Sequence, residues 1–216
     1  MMITTQKSKE ALLSLLSPYA KLVIIGCGGC AATCQTGGSE QVKEWEEKIL
    51  GGKVLASLIS EEPCDERIIR RDLRRIKKEL EEADAILVLA CGLGVQTVVD
   101  ITGKACLPGL DSQFYGKAER IGRFFERCQA CGDCLLGETG GICFLTRCPK
   151  GLRNGPCDGM VDGKCDVKEG LDCVWKTIYE RLEALGQVEK LSLIRDPEDW
   201  SDHLHPQEVI QQRGNK

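Results

Sequence analysis

Eight of the chain's fourteen cysteines lie between Cys128 and Cys173, in a stretch rich in glycine and poor in periodic apolar residues. Such a stretch cannot hold itself together by burying a core. Bound metals would stabilise it, because the free energy of metal binding becomes free energy of folding. With 216 residues, the chain is too long to need cysteines as the staples of a small secreted domain. We therefore predict reduced, metal-bound thiols in a cytoplasmic protein.

The first half of the chain alternates short apolar runs with helical patterns. Strands are predicted at residues 21–25, 54–59, 85–90 and, more weakly, 104–107, and helices at residues 40–50, 66–82 and 95–101. This order predicts an α/β fold with a small doubly wound parallel sheet, which is flavodoxin-like or Rossmann-like.

The second half predicts a Cys-rich irregular metal-binding domain with a C-terminal helix and an extended tail. Amphipathic helices are predicted at about Lys117–Arg127 and at Leu171–Leu185. The predicted domains are residues 1–115 (α/β, with a metal-cluster site), 116–188 (Cys-rich iron–sulfur or metal domain) and 189–216 (extended arm). Trp200 in the arm suggests docking on another chain, with a contact to its own domain as the alternative.

Cysteines follow three of the predicted strands, at Cys27, Cys64 and Cys91. Open α/β sheets bind ligands beyond the carboxyl ends of their strands, so these cysteines are expected to converge. Cys27, Cys30 and Cys34 supply three thiolates from one loop, and Cys91 or Cys64 would supply the fourth that a [4Fe–4S] cluster needs. A zinc site or a reactive thiol is the alternative. A nucleotide site is disfavoured because the loop lacks G-x-G-x-x-G.

The strongest metal motif is C-x-x-C-x-x-C at Cys128, Cys131 and Cys134, which is close to the opening of the bacterial ferredoxin motif. Cys148, which precedes Pro149, is a candidate fourth ligand. The remaining cysteines would suffice for a third metal site, as [4Fe–4S] or zinc, with disulfides as the alternative: Cys143, Cys157, Cys165 and Cys173.

Other functional classes have little support. The net charge of −4 gives no basic footprint for nucleic acid, and no apolar run is long enough for a membrane helix. No Ser-His-Asp or Cys-His arrangement is present for nucleophilic catalysis. Many thiolates and few acid–base groups are typical of an electron carrier.

The cysteine motifs together resemble a known family. The run from Cys128 to Cys143, the run from Arg147 to Gly159 and the Gly163–Cys165 segment resemble the Cys-rich, zinc-binding-type domain of the MetV-type small subunit of acetogen methylenetetrahydrofolate reductases. The resemblance extends to residues 26–34, 64–67, 90–97 and 172–181. One departure is Phe144, where the family pattern has proline.

This resemblance implies a non-catalytic subunit that works with a MetF-type flavoprotein carrying FMN. The chain would pass electrons from ferredoxin or a larger redox complex to that flavin, which reduces 5,10-methylenetetrahydrofolate to 5-methyltetrahydrofolate in the Wood–Ljungdahl pathway. Two [4Fe–4S] clusters are expected, with a third site for [4Fe–4S] or zinc. The alternative is a zinc-stabilised scaffold that docks the flavoprotein without carrying electrons.

Overall fold

A four-stranded parallel sheet organises the first half of the chain in this computed structural model, which describes residues 1–203 and 205–211. Its strands are β2 (Leu22–Cys27), β3 (Val54–Ser60), β4 (Ala85–Leu89) and β5 (Ala105–Pro108), in the order β3-β2-β4-β5. Every pairing is parallel. The predicted parallel α/β sheet is thereby confirmed.

The strand order places a topological switch point between β2 and β4. The chain leaves β2 towards β3 on one side and returns from β3 to β4 on the other. Loops that leave neighbouring strands in opposite directions open a crevice at the carboxyl edge, where this class of fold binds ligands. The loops after Cys27 and Leu89 border this crevice.

Helices connect the strands largely where the sequence pattern predicts them. They are α1 (Lys9–Leu16), α2 (Cys30–Thr33), α3 (Ser39–Lys43), α4 (Glu66–Leu73), α5 (Lys77–Glu82) and α6 (Gly92–Thr102). A π-helical turn, Glu44–Leu50, continues α3, and a 3₁₀ turn, Arg74–Ile76, separates α4 from α5. The Asp65 side chain caps α4 by accepting from the Arg67 amide at 2.9 Å.

A second, antiparallel sheet replaces the helix predicted at Lys117–Arg127. It contains β1 (Met2–Gln6), β6 (Leu110–Arg120) and β7 (Arg123–Cys128), in the order β1-β6-β7. The helix prediction is wrong because the segment is a hairpin, with its turn at Gly122, where φ is +78°. Strand β1, which pairs with β6, was also missed.

Two units divide the chain, Met1–Phe125 and Glu126–Lys216. The first has a continuous aliphatic core, in which β2 and β4 are buried along their whole length. In its described residues the second has one α-helix, α7 (Val174–Ala184), and a core of five buried side chains: Phe144, Val174, Trp175, Ile178 and Leu182. Phe144 and Trp175 stack with ring centroids 5.2 Å apart.

The segment after α7 is fastened to the second unit at Arg195. Its guanidinium donates to Glu138 at 2.9 Å and lies over the rings of Phe144 and Trp175. Asn154 accepts from the Arg195 amide and donates to the Arg195 carbonyl, each at 2.8 Å. Position 204 and positions 212–216 of the predicted arm lie outside the described residues. Trp200 is mostly exposed.

Among the described residues, no helix combines the length and apolar character needed to cross a bilayer.

Gly37 offers a test of how the first unit is packed. A Cβ at this position would overlap the carbonyl oxygen of Leu89 at the end of β4. Gly37→Ala is therefore expected to lower the free energy of unfolding by about 2 kcal/mol, as overpacked cores do. Gly52→Ala is the matched control, because nothing lies within 4 Å of its added methyl group. Urea unfolding followed by circular dichroism would measure both, and equal midpoints would contradict this packing.

Candidate metal centres

Three segments of the chain place four cysteines at the carboxyl edge of the parallel sheet. Cys27 ends β2, Cys30 begins α2, Cys64 lies between β3 and α4, and Cys91 caps α6 after β4. We call these four residues the sheet-edge group. Cys27 and Cys91 are buried, Cys30 is half-buried and Cys64 is exposed.

The thiols of this group act on one another electrostatically. Burial is the main cause that raises the pKa of Cys27, and the neighbouring Cys30 and Cys91 raise it further. Burial also leads the causes that raise the pKa of Cys64, with additions from Cys91 and Cys27. Thiols this close would repel one another as thiolates unless a cation were bound among them.

Tight backbone packing brings the loops of the group together. The amide of Gly28, just after β2, donates to the Ser60 carbonyl at the end of β3 at 2.8 Å. A Cβ on Gly29 would lie 3.1 Å from the Glu61 carbonyl oxygen. The glycines between Cys27 and Cys30 thus let this loop lie against the loop that carries Cys64.

Cys34, at the end of α2, lies next to β1. Its Sγ lies 3.9 Å from the carbonyl oxygen of Met2 in β1, and the side chain is buried. Of the residues predicted for the first site, Cys27, Cys30, Cys64 and Cys91 have thiols that interact electrostatically. The C-x-x-C-x-x-x-C spacing predicts Cys34 as a ligand of the first site, and this stays a prediction.

A buried carboxylate supports the sheet-edge loops. Asp72 of α4 accepts from the Ser60 hydroxyl at 2.9 Å and from Arg71 at 2.9 Å. Burial opposes ionisation of Asp72, but the hydrogen bonds from Arg71 and Ser60 outweigh it and hold its pKa below the usual 3.8. Because Ser60 also accepts from Gly28, Asp72 helps to fix the end of β3 beside the cysteines. Sequence patterns predict only a charged helix at this position and do not indicate this role.

The second unit contains two further sets of four cysteines, each lining its own cavity. Cys128, Cys131, Cys134 and Cys143 line a cavity of about 90 Å³, the Cys128 cavity. Cys148, Cys157, Cys165 and Cys173 line a cavity of about 20 Å³, the Cys148 cavity. The motif spacing had suggested Cys148 as the fourth ligand beside Cys128, Cys131 and Cys134, whereas the cavity brings Cys143 to that place.

Local backbone turns shape the Cys128 cavity. The Ala130 amide donates to the Cys128 Sγ at 3.3 Å, and positive φ values at Ala130 (+55°) and Gly132 (+79°) curl the chain around the cavity. Amides that point at sulfur stabilise thiolates and cluster sulfides. This curled loop therefore suits an anionic metal–thiolate centre.

Charged side chains surround the Cys148 cavity. The Lys150 ammonium lies 3.5 Å from the Cys157 Sγ and donates to Asp166 at 2.8 Å. The hydrogen bond to Asp166 is the main cause that raises the pKa of Lys150, and the hydrogen bond to Cys157 raises it further. Desolvation lowers this pKa, but by less than the two hydrogen bonds together raise it. Backbone bonds from Cys165 to Leu171 (2.8 Å) and from Cys173 to Gly163 (2.9 Å) hold two of the cysteines.

Each of the three groups supplies four thiols, which is the number and kind of donor that a tetrathiolate metal site needs. All fourteen cysteines are free thiols. Within residues 1–203 and 205–211, however, no three Cys, His, Asp or Glu side chains converge to metal-binding geometry. The thiols therefore share cavities and an electrostatic environment, and binding would require them to draw closer.

Comparison with protein families gives one match. Residues 107–201 match the family described as "Methylene-tetrahydrofolate reductase C terminal". The match supports a protein related to these reductases and a role related to one-carbon reduction of folates. It includes all eight cysteines of the second unit but neither the sheet-edge group nor most of the parallel sheet.

Among curated proteins, the chain is similar to "Endothelial cell-specific molecule 1" of Rattus norvegicus and of Mus musculus. Each is 33% identical over 108 residues, which are 48% of this chain and 54% of the relative. The chain thus spans about half the length of these relatives. No solved structure matches it.

Asp72→Asn tests the buried carboxylate. The depressed pKa in the folded state means that ionised Asp72 contributes stability above about pH 4. This contribution is lost as the pH falls through the folded-state pKa. At pH 7 the variant should lose about 2 kcal/mol of unfolding free energy, the scale of a charge-assisted hydrogen bond. The difference from wild type should shrink towards pH 2.

The control is Asp100→Asn, on the exposed side of α6. Urea unfolding at several pH values would compare the two variants with wild type. A pH-independent loss in Asp72→Asn would rule out the linkage to ionisation.

Proposed function

We propose that this chain is the iron–sulfur electron-transfer subunit of a methylenetetrahydrofolate reductase. It would take electrons from ferredoxin or a larger redox complex and pass them to the FMN of a MetF-type partner. The observation that carries the proposal is the division of twelve cysteines into three sets of four, one at the sheet edge and one in each cavity. The family match over residues 107–201 gives the proposal its chemical setting.

In this proposal the sheet-edge group holds a [4Fe–4S] cluster, bound by Cys27, Cys30, Cys64 and Cys91. Four cysteine ligands are what such a cluster requires. Three observations support this assignment. The thiols of the group act electrostatically on the pKa values of Cys27 and Cys64, and they lie at the switch point of the sheet. The loop that carries Cys27 and Cys30 is also rich in glycine.

The sizes of the two other cavities suggest different occupants. The Cys128 cavity, at about 90 Å³, has room for a multi-atom group, and we assign it a [4Fe–4S] cluster. The Cys148 cavity, at about 20 Å³, has room for roughly one water-sized sphere. We therefore assign it a single zinc ion, which four cysteines bind in structural sites.

An iron–sulfur cluster would supply reversible electron transfer without proton transfer. The protein would set the reduction potential through burial, amide bonds to sulfur and nearby charges. The Ala130 amide and the buried positions of Cys27 and Cys91 are residue-level means of doing so. The flavin partner, rather than this chain, would carry out the reduction of the folate.

A zinc-stabilised scaffold is the second candidate, and the small core of the second unit favours it. Five buried side chains supply little hydrophobic stabilisation for a unit that begins at Glu126, so bound metal would contribute to folding whether or not it carries electrons. In this alternative the chain docks and orients the flavoprotein only.

Metal analysis separates these candidates. The chain purified without oxygen is expected to be brown, to bleach with dithionite and to contain about eight iron atoms and one zinc ion. Cys131→Ala should lose about half of the iron and keep the zinc, whereas Cys165→Ala should lose the zinc and keep the iron. A colourless wild-type protein that holds only zinc would refute electron transfer and support the scaffold.

The sheet-edge assignment is tested by a matched pair of serine variants. Cys64→Ser should lose about half of the iron, because it removes a cluster ligand, while Cys34→Ser should keep all of it. Cys34 lies in the segment after β2 and Cys64 in the segment after β3. Each variant therefore loses one thiol from a segment that follows a strand of the same sheet, and the comparison controls for that loss. The opposite result, with iron lost from Cys34→Ser and kept in Cys64→Ser, would favour the ligand set with Cys34 in place of Cys64.

A further inference from the structure

The segment that follows α7 contacts one wall of the Cys128 cavity. This segment begins with a 3₁₀ turn, Val188–Ser192, and we call residues 188–199 the strap. The stretch that it contacts, residues 133–139, contains a second 3₁₀ turn, Leu135–Gly137. We call this stretch the cavity wall, because five of its residues line the cavity: Asp133, Cys134, Leu135, Leu136 and Thr139.

Two basic side chains of the strap donate directly to the cavity wall. The Lys190 ammonium donates to the carbonyl oxygen of Gly137 at 2.9 Å. The Arg195 guanidinium donates to the carboxylate of Glu138, also at 2.9 Å. These two acceptors come directly before Thr139, which is fully buried and lines the cavity. The strap therefore binds the wall next to its innermost residue.

A bridging arginine makes a third contact, which is indirect. Arg153 pairs with Glu198 of the strap, and its Nη2 lies 3.7 Å from a carboxylate oxygen of Asp133. The side chains of Arg153 and Glu198 are largely buried. Asp133 lies between Cys131 and Cys134, so this bridge connects the strap to the C-x-x-C-x-x-C motif itself.

Arg195 anchors the strap from a buried position. Its side chain is only 6% exposed, and its guanidinium lies 5.8 and 5.7 Å from the ring centroids of Phe144 and Trp175. Asn154 holds its backbone by two hydrogen bonds. Surface ion pairs contribute little because two mobile side chains must be ordered to form them. Here the packed rings already order the guanidinium, so its bond to Glu138 has a smaller entropic cost.

We infer that the strap is part of the Cys128 metal centre, where it holds the cavity wall closed over the bound group and shields that group from water. Lys190 and Arg195 are positioning residues of the centre, because each acts through the wall. The inference rests on the proposed function, since it takes the Cys128 cavity to hold a metal. Segments that carry few buried contacts open first, and an open wall would expose the metal-bound thiolates to chelators.

The experiment uses the whole chain in the Cys64→Ser background, where the remaining iron is expected in the Cys128 cavity. The rate of iron transfer to a chelator is measured without oxygen. The rate of zinc release from the same sample is the internal reference, because zinc is assigned to the other cavity of this unit.

Glu138→Ala removes the wall carboxylate that Arg195 binds. Glu180→Ala is the matched control, because Glu180 is an exposed carboxylate of the same unit that pairs with Lys176 along α7, at 3.0 Å. Glu138→Ala is expected to release iron about tenfold faster, the scale of one lost charge-assisted hydrogen bond. Zinc release should not change, and Glu180→Ala should change neither rate. Equal iron release in the two variants, or an equal acceleration of zinc release in Glu138→Ala, would overturn the inference.

A double-mutant cycle tests whether the strap acts through this contact. Arg195→Met keeps an unbranched side chain over the rings but loses the bond to Glu138. Combined with Glu138→Ala, it should release iron no faster than Arg195→Met alone, because both changes remove the same bond. Lys190→Met removes the other wall contact and should multiply the effect of Glu138→Ala, which keeps the test available if Arg195→Met does not fold. Independent effects of the Arg195 and Glu138 changes would contradict the strap.

Amide hydrogen exchange distinguishes failure of the strap from failure of the proposed function. The Gly141 amide donates to the Leu136 carbonyl of the wall at 2.8 Å, and its exchange reports opening of that turn. Exchange should be faster in Glu138→Ala than in Glu180→Ala, whichever metal is bound. Zinc without iron in the wild-type chain, together with this difference, would refute electron transfer and support the strap. Bound iron without this difference would overturn the strap and leave the proposed function standing.

Discussion

Parallel pairing of β2 with both β3 and β4 is the constraint on which the first unit depends. It aligns the carboxyl ends of three strands, so that side chains far apart in sequence meet at one edge. Residues 27, 64 and 91 are brought together for this reason alone. The pairing is held by strands that are buried over their whole length, and Asp72 and Ser60 fix the loops at the edge.

The second unit depends on a different balance. In its described residues, α7 and Phe144 supply five buried side chains, and much of the remaining chain is turns that carry cysteines. Phe144 stands where the resembled family has proline, and here it stacks on Trp175 at the centre of that small core. Arg195 covers the same two rings from the segment after α7.

Sequence patterns could predict the parallel sheet because buried strands are continuous apolar runs with few alternatives. They failed at residues 117–127, where charged residues flank Phe124 and Phe125, because the hairpin there depends on the turn at Gly122 and the first half of β6 pairs with β1, which lies far earlier in the chain. Cysteine spacing identified the metal motifs but could not assign partners. Spacing makes Cys148 a candidate partner of Cys128, Cys131 and Cys134, whereas in the structure Cys143 lines their cavity, because the path of the intervening loops is not encoded in the spacing.

Burial differs across the sheet-edge group in a way that suits electron transfer. Cys27 and Cys91 are buried against the sheet, whereas Cys64 is exposed. A cluster held by these four residues would be shielded from water on its inner side and would approach the surface on the side of Cys64. Shielding lowers the reorganisation of solvent around the changing charge, and access at one corner permits a partner to come close. In the proposed cluster, Cys64 would therefore mark the side on which a redox partner could approach.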